Sequence, residues 1–284
     1  MDKTDLNDAQ VAAIEQPGSV FLVACPGSGK TRTLTFKIAR LLSELKSDKK
    51  RIVAITYTHR AADEIHERIE QLGVDTSQLW IGTIHSFCLE WILKPYGIYY
   101  PALANGFQVI NGHDTEQMLD DICGKVQGTN LNRYDCAYYF TPSGYRLTST
   151  ATDKHPVIKG VLKTYWGTLR DERKIDFELI LFCAYQLIKK NPSISVLLGS
   201  IFECVLVDEF QDTREIQYAI LASILKASQG RVRAFVVGDP NQAIYSSLGG
   251  YAITAADFGA QCGIQFKEME LVDNYRSSSR IVGY

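Results

Sequence analysis

Residues 205–213 read Val-Leu-Val-Asp-Glu-Phe-Gln-Asp-Thr, an apolar run that ends abruptly on two adjacent carboxylates, Asp208 and Glu209. Apolar residues without alternation mark a strand buried on both faces, as in a parallel sheet covered by helices. Such sheets bind ligands outside the carboxyl ends of their strands, so Asp208 and Glu209 stand where a ligand would arrive. That edge needs a phosphate cradle beside it, and residues 24–31 supply one: Ala-Cys-Pro-Gly-Ser-Gly-Lys-Thr. They follow the apolar run 20–23 and precede a helical pattern that begins near Lys30. Strand, glycine-rich turn and helix, in that order, form the context that a phosphate-binding loop requires.

The chemistry of the loop follows from its residue types. Gly27 and Gly29 let the backbone curl so that successive amide N–H groups face one anion, and the following helix adds its positive dipole end. Ala24, Cys25, Pro26, Gly27, Ser28 and Gly29 would then cradle the phosphates of ATP. Lys30 would reach the β and γ phosphates and the Thr31 hydroxyl would ligate Mg²⁺. The motif usually opens on glycine, whereas this chain has Ala24, and the plain alternative is a glycine-rich turn between strand and helix. Asp208 would hold Mg²⁺ directly or through water, and Glu209 would orient and deprotonate an attacking water. Both acids could instead cap the next helix. Their place after a continuous apolar strand, in a chain that also carries a phosphate loop, favours hydrolysis.

Composition narrows the class without naming a partner. The 284 residues, 46% hydrophobic and 22% charged, suit one large or two moderate globular domains. No run of about 18 apolar residues is present, and residues 1–12 are polar, so neither a membrane span nor a signal peptide is expected, and the cytoplasm is the default compartment. Seven cysteines, at 25, 88, 123, 136, 183, 204 and 262, form no Cys-x-x-Cys pair and read as reduced, mostly buried thiols. A net charge of −2 gives no global attraction for nucleic acid, so any such binding must come from a local basic or aromatic groove.

Apolar periodicity predicts strands over residues 19–24, 51–56 and 79–84 and helices over 29–45, 59–72 and 85–93. Alternating strand and helix imply an α/β fold with a doubly wound parallel sheet flanked by helices. Residues 94–173 change character: tyrosine-rich loops and helical stretches near 115–126 and 157–170, without strand alternation, read as an inserted, mostly helical subdomain. A helix over 176–190 with Asp176 as N-cap then leads back to strands at 202–207 and 233–237, and a last strand is expected at 270–272. Within the insert, residues 133–146 interleave Tyr134, Tyr138, Tyr139, Phe140 and Tyr145 with basic ends. That cluster reads either as a nucleic-acid surface or as local core, and the second reading is favoured.

Five further segments stand in order around the phosphate loop and residues 205–213. Residues 6–10 read Leu-Asn-Asp-Ala-Gln and 55–64 read Ile-Thr-Tyr-Thr-His-Arg-Ala-Ala-Asp-Glu. Residues 82–87 read Gly-Thr-Ile-His-Ser-Phe, 237–245 read Val-Gly-Asp-Pro-Asn-Gln-Ala-Ile-Tyr and 274–277 read Asn-Tyr-Arg-Ser. With the phosphate loop and residues 205–213, the set resembles the N-terminal part of UvrD/Rep-type superfamily 1 DNA helicases, whose ATP-binding domain is a RecA-like phosphate-loop fold. The resemblance implies that residues 1–93 and 174–265 are the two parts of that domain, split by the insert at 94–173, and that 266–284 begin a second RecA-like domain.

The same resemblance assigns roles. Gln10 would read the adenine edge, although Asn7 and Gln10 also read as a capping box. Arg32 would pack against the adenine face and Tyr275 would stack on it. Tyr57 would stack on a base of single-stranded DNA and Arg60 would sit near its phosphates; Thr83 and His85 match further DNA-contacting positions. Asp239 would support the Mg²⁺ site, Gln242 would sense the γ-phosphate and Tyr245 would face the DNA. Arg276 would act as a finger on transition-state charge, an effect worth on the order of 10³ to 10⁵ in rate. Ser247 and Leu248 stand where the family usually has a large aromatic and an arginine, a loss of about 1–3 kcal/mol of stacking per base.

The activity implied is an ATP-dependent, Mg²⁺-assisted motor that moves 3′ to 5′ along single-stranded or partly duplex DNA. Such motors close two RecA-like domains on ATP, so these 284 residues alone are expected to bind nucleotide without unwinding DNA. The alternative is a nucleotide- and DNA-sensing subunit that controls a partner nuclease, as in antiphage systems such as Gabija; Ser247, Leu248 and the compact insert motivate it. A nucleotide kinase would share the phosphate loop but neither residues 205–213 nor 274–277.

Overall fold

The structure, a computed structural model, describes residues 6–126, 130–243 and 250–275. Its strands in chain order are β1 (Val20–Ala24), β2 (Arg51–Thr56), β3 (Leu79–Thr83), β4 (Gln108–Val109), β5 (Tyr138–Thr141), β6 (Gly144–Leu147), β7 (Lys174–Ile175), β8 (Phe202–Val207), β9 (Arg233–Gly238) and β10 (Lys267–Leu271). The helices are α1 (Asp8–Glu15), α2 (Lys30–Glu44), α3 (His59–Gln71), α4 (Ile84–Phe87), α5 (Lys94–Tyr96), α6 (Gly112–Cys123), α7 (His155–Asp171), α8 (Phe177–Lys190), α9 (Pro192–Ile201), α10 (Glu215–Ala227) and α11 (Ala255–Cys262). A π-helical turn over Cys88–Leu93 joins α4 to α5, so the helix expected at 85–93 runs a turn longer.

Six strands form one parallel sheet in the order β10-β1-β9-β8-β2-β3. Side chains of period two separate its faces. Val20, Leu22, Ile52, Ala54, Cys204, Leu206, Phe235 and Val237 join a core with Leu34, Ile38 and Leu41 of α2 and Ile65 and Ile69 of α3. Their neighbours Phe21, Val53, Ile55, Val205, Val207 and Val236 face a second core built with α8, α9, α10 and α11. Burial on both faces is why these strands read as continuous apolar runs. This is the expected RecA-like arrangement, and no helix among the described residues is long and apolar enough to cross a membrane.

The insert departs from expectation by containing strands. Tyr138–Thr141 pairs antiparallel with Gly144–Leu147, and Gln108–Val109 pairs parallel with Lys174–Ile175 where the chain leaves and rejoins the sheet domain. Aromatic and β-branched residues favour the hairpin, and Pro142 and Ser143 turn the chain between its strands. A third core, with Leu119, Cys123, Cys136, Ile158, Leu162 and Tyr165, sits under α6 and α7. Tyr138, Phe140, Tyr145 and Trp166 pack edge-to-face or tilted with centroids 4.8–6.5 Å apart, so most of the tyrosine cluster is local core. Tyr134 is the exposed exception, lying 4.7 Å from the Arg133 guanidinium. Six of the seven cysteines are buried as free thiols, Cys25 being partly exposed.

Candidate functional site

Strand order assembles the site. The carboxyl ends of β1, β9, β8, β2 and β3 lie side by side, which sets the phosphate loop, Asp239, Asp208 with Glu209, Tyr57 and Thr83 in one row. Between Ala24 and Lys30 the loop turns back on itself: Ser28 N–H donates to the Cys25 carbonyl at 3.1 Å, and Gly29 caps α2 with φ of 83°. A Cβ at Gly29 would lie 2.5 Å from Gln10 Nε2 as well as being strained, so only glycine fits. Ser28 is buried, and its hydroxyl has no hydrogen-bond partner among the described residues. The first amides of α2 have no intrahelical acceptor either. A phosphate chain is the chemistry that would satisfy this group of donors.

The two acids differ sharply in setting. Asp208 is buried; its N–H donates to the Ile55 carbonyl at 2.9 Å and its carboxylate accepts the Glu209 N–H at 3.0 Å. Burial first, and the Glu209 carboxylate second, push the Asp208 carboxyl up to about 7. Glu209 adopts the left-handed region, with φ 51° and ψ 53°, a conformation that costs a non-glycine residue about 1–3 kcal/mol. That bend aims its carboxylate at Lys30, whose Nζ lies 3.3 Å from Glu209 Oε2.

From Glu209 a hydrogen-bonded run crosses to β9. Gln211 Nε2 donates to Glu209 Oε2 at 2.7 Å, the Asp239 N–H donates to Gln211 Oε1 at 2.9 Å, and Gln242 Nε2 donates to Asp239 Oδ2 at 2.8 Å. Gly238 makes room for it: a Cβ there would fall 2.4 Å from Gln211 Oε1 and 2.8 Å from the Phe210 nitrogen. The Asp239 carboxylate, 1% exposed, also accepts the Asn241 N–H at 3.0 Å, so both oxygens are engaged within the protein. Thr31 and Asp208 offer hard oxygen donors that suit Mg²⁺, an ion that keeps several waters and takes phosphate oxygens rather than a full protein cage. No cluster of three or more acidic, His or Cys side chains stands ready for a metal among the described residues.

Gln10 has both polar side-chain atoms engaged within the protein. It forms the capping box of α1 with Asn7, at 2.7 and 3.0 Å, and its Nε2 donates to the Ser28 carbonyl at 2.9 Å. Arg32 lies in the first turn of α2, and the Tyr275 N–H donates to the Gly27 carbonyl at 2.9 Å, so Tyr275 flanks the loop.

The neighbouring ends of β2 and β3 carry the expected nucleic-acid residues. Tyr57 is 51% exposed and Arg60 is exposed on the first turn of α3. Thr83 instead caps α4, accepting the Ser86 N–H at 3.3 Å. His85 is held neutral, its pKa lowered to about 4 chiefly by burial and further by Arg214 and His59. Its ring meets Phe177 edge-on at 5.5 Å, and Phe177, 50% exposed, extends the aromatic surface. Phe177 directly follows the N-cap Asp176, and nothing in the sequence sets it apart from an ordinary first residue of α8. A cavity of about 60 Å³ lies between Tyr57, Thr83 and His85 on one side and Asp208, Thr213 and Gln217 on the other.

Tyr245, Ser247, Leu248 and Arg276 lie outside the described residues, and with them the departure that motivated the nuclease-controlling alternative.

Residues 6–258 match the family described as UvrD/REP helicase N-terminal domain. Among similar proteins, "ATP-dependent DNA helicase SRS2" of Saccharomyces cerevisiae is 29% identical over 98% of this chain and 26% of its own length. "Probable DNA helicase II homolog" of Mycoplasma capricolum is 31% identical over 98% of this chain and 40% of its own. "DNA helicase II" of Salmonella typhimurium is 32% identical, with 98% and 39% covered. The chain thus spans between about a quarter and two fifths of the length of these curated relatives.

Proposed function

The chain belongs to the UvrD/REP helicase N-terminal domain family, and from that premise we propose that it is the ATP-hydrolysing part of a motor that moves along single-stranded DNA. The observation that carries the reading is the unbroken run from Lys30 through Glu209, Gln211 and Asp239 to Gln242. It gives one hydrogen-bonded path from the phosphate loop to the segment after β9.

The phosphate loop 24–31 binds the triphosphate, with Gln10, Arg32 and Tyr275 around the base. An arriving γ-phosphate competes with Glu209 for Lys30. Once Lys30 turns to the phosphate, the Glu209 carboxylate, still held by Gln211, is left to orient a water and take its proton. Mg²⁺, held by Thr31 and Asp208, would neutralise phosphate charge. Asp239 serves as the anchor that orients Gln242 toward the γ-phosphate. Arg276 supplies a further cation to the transition state.

On the adjoining strand ends Tyr57 and Phe177 offer ring faces to bases, Arg60 offers charge to phosphates, and Thr83 and neutral His85 complete the track, with Tyr245 joining it by the family resemblance alone. The 3′ to 5′ direction follows the family resemblance.

Steady-state hydrolysis with and without oligo-dT tests the proposal. Glu209→Gln is expected to keep nucleotide affinity and lower DNA-stimulated turnover by about 10²-fold or more, whereas Lys30→Ala abolishes nucleotide binding. Unchanged hydrolysis in Glu209→Gln would overturn it.

A further inference from the structure

Asn7 is the point at which the two ends of the described chain meet around the phosphate loop. Its Oδ1 accepts the Gln10 N–H at 2.7 Å and so caps α1. Its Nδ2 donates in two further directions, to Asp273 Oδ2 and to the Tyr275 hydroxyl, each at 2.8 Å. Both residues lie in the segment that leaves β10. That segment runs beside the loop: the Cys25 N–H donates to the Leu271 carbonyl at 3.0 Å and the Tyr275 N–H to the Gly27 carbonyl at 2.9 Å. Gln10 holds the next carbonyl, that of Ser28, at 2.9 Å. Two consecutive carbonyls of the phosphate loop are therefore held, one by Gln10 and one by Tyr275, and Asn7 joins the two grips.

We propose that Asn7 is a positioning residue for the base of the bound nucleotide, holding the Tyr275 ring beside the phosphate loop before the nucleotide arrives. The proposal rests on the reading of the chain as an ATP-binding protein. Tyr275 is 63% exposed, so its ring is largely open for stacking and packing alone holds it weakly. An exposed aromatic that must be ordered on binding weakens affinity; one already held by its hydroxyl does not. An amide alone can do this at residue 7. It caps with its oxygen while both N–H donors point the other way, whereas Asp or Ser caps a helix comparably but cannot donate to two acceptors.

Asn7→Ser therefore separates the capping role from the positioning role. That variant should melt close to the wild-type temperature, because the cap is kept. In it, ATP should bind about tenfold more weakly, while inorganic triphosphate, held by the loop alone, should bind as it does to the wild type. Tyr275→Phe, which keeps the ring and loses the hydroxyl, should weaken ATP to a similar degree, and the double variant with Asn7→Ser should be no worse than either single one. Without ligand, hydrogen exchange of the Tyr275 amide should quicken several-fold in Asn7→Ser. Wild-type ATP affinity in Asn7→Ser, or additive losses in the double variant, would overturn the proposal. An unchanged exchange rate would do so independently of any ligand. A wild-type chain that binds triphosphate no better than Lys30→Ala would overturn the ATP-binding reading instead.

Discussion

Glu209 shows how much of the site depends on single residues in unusual places. Its left-handed backbone, with φ of 51°, is stabilised by the Asp208 carboxylate on its own N–H and by Gln211 on its side chain. Gln211 in turn fits only because Gly238 has no Cβ. Gly238→Ala would press a methyl against Gln211 Oε1 and the Phe210 backbone, and Phe210 is fully buried with no room to yield. The expected loss is about 1–3 kcal/mol in urea unfolding, with DNA-stimulated hydrolysis falling further than stability, because the Glu209–Gln211 bond goes with it. A variant as stable and active as the wild type would contradict that geometry. Lys37 is a second such residue. It is buried and donates to the Ile14 and Gln16 carbonyls at 2.9 and 2.7 Å, clamping the end of α1 to α2. Burial, above all, lowers its pKa from 10.5 to about 8. The unfolded chain then binds more protons than the folded one between about pH 8 and 10.5, so stability gained at this site rises with pH through that window. Urea unfolding at pH 7.5 and 9.5 should show the wild type gaining on Lys37→Met at the higher pH; parallel behaviour of the two would refute the assignment.

At the scale of elements, the insert is tied to the loop that carries Glu209. Arg214, immediately before α10, forms an ion pair with Glu178 of α8, whose other carboxylate oxygen accepts the Phe140 N–H of the hairpin at 3.3 Å. Burial raises the Glu178 carboxyl and Arg214 draws it back down. The pair is only partly buried, so Arg214→Met should cost about 1–3 kcal/mol by leaving the Glu178 carboxylate without its charged partner, and adding Glu178→Gln should recover much of it. Equal losses in the single and double variants would show that packing, not charge, matters there. Neither partner is marked in the sequence, since residues 36 apart pair only once α8 and α10 have packed together. The central strands are legible for the opposite reason. Burial on both faces leaves apolar runs at residues 20–24, 51–56 and 202–207, and the glycines of the loop and the two acids sit at their ends. The hairpin at residues 138–147 was harder to read because its aromatics pack on Trp166 and α8 rather than alternate with polar residues. Asn7 looks like a cap and nothing more until Asp273 and Tyr275 arrive from more than 260 residues away.

At the scale of the molecule, charge and the row of strand ends together predict how nucleic acid would be held. The chain carries a net charge of −2, so no general field draws a polyanion toward it. At the carboxyl edge, Tyr57 and Phe177 present exposed rings and Arg60 an exposed cation among the described residues. Affinity for a single strand should then depend on stacking more than on counterion release. Each neutralised phosphate contributes a slope of about 0.7 to the logarithmic salt dependence of single-strand binding. Fluorescence titration of labelled oligo-dT between 50 and 300 mM KCl should give a total slope of roughly one to two. Tyr57→Ala should weaken binding by about 1–3 kcal/mol at every salt concentration, leaving the slope unchanged. Arg60→Ala should instead flatten the slope while lowering affinity less at high salt. A wild-type slope near five, with Tyr57→Ala neutral, would mean that a basic surface elsewhere holds the strand, and the row of strand ends would then have to be read as a nucleotide site without an adjoining DNA track.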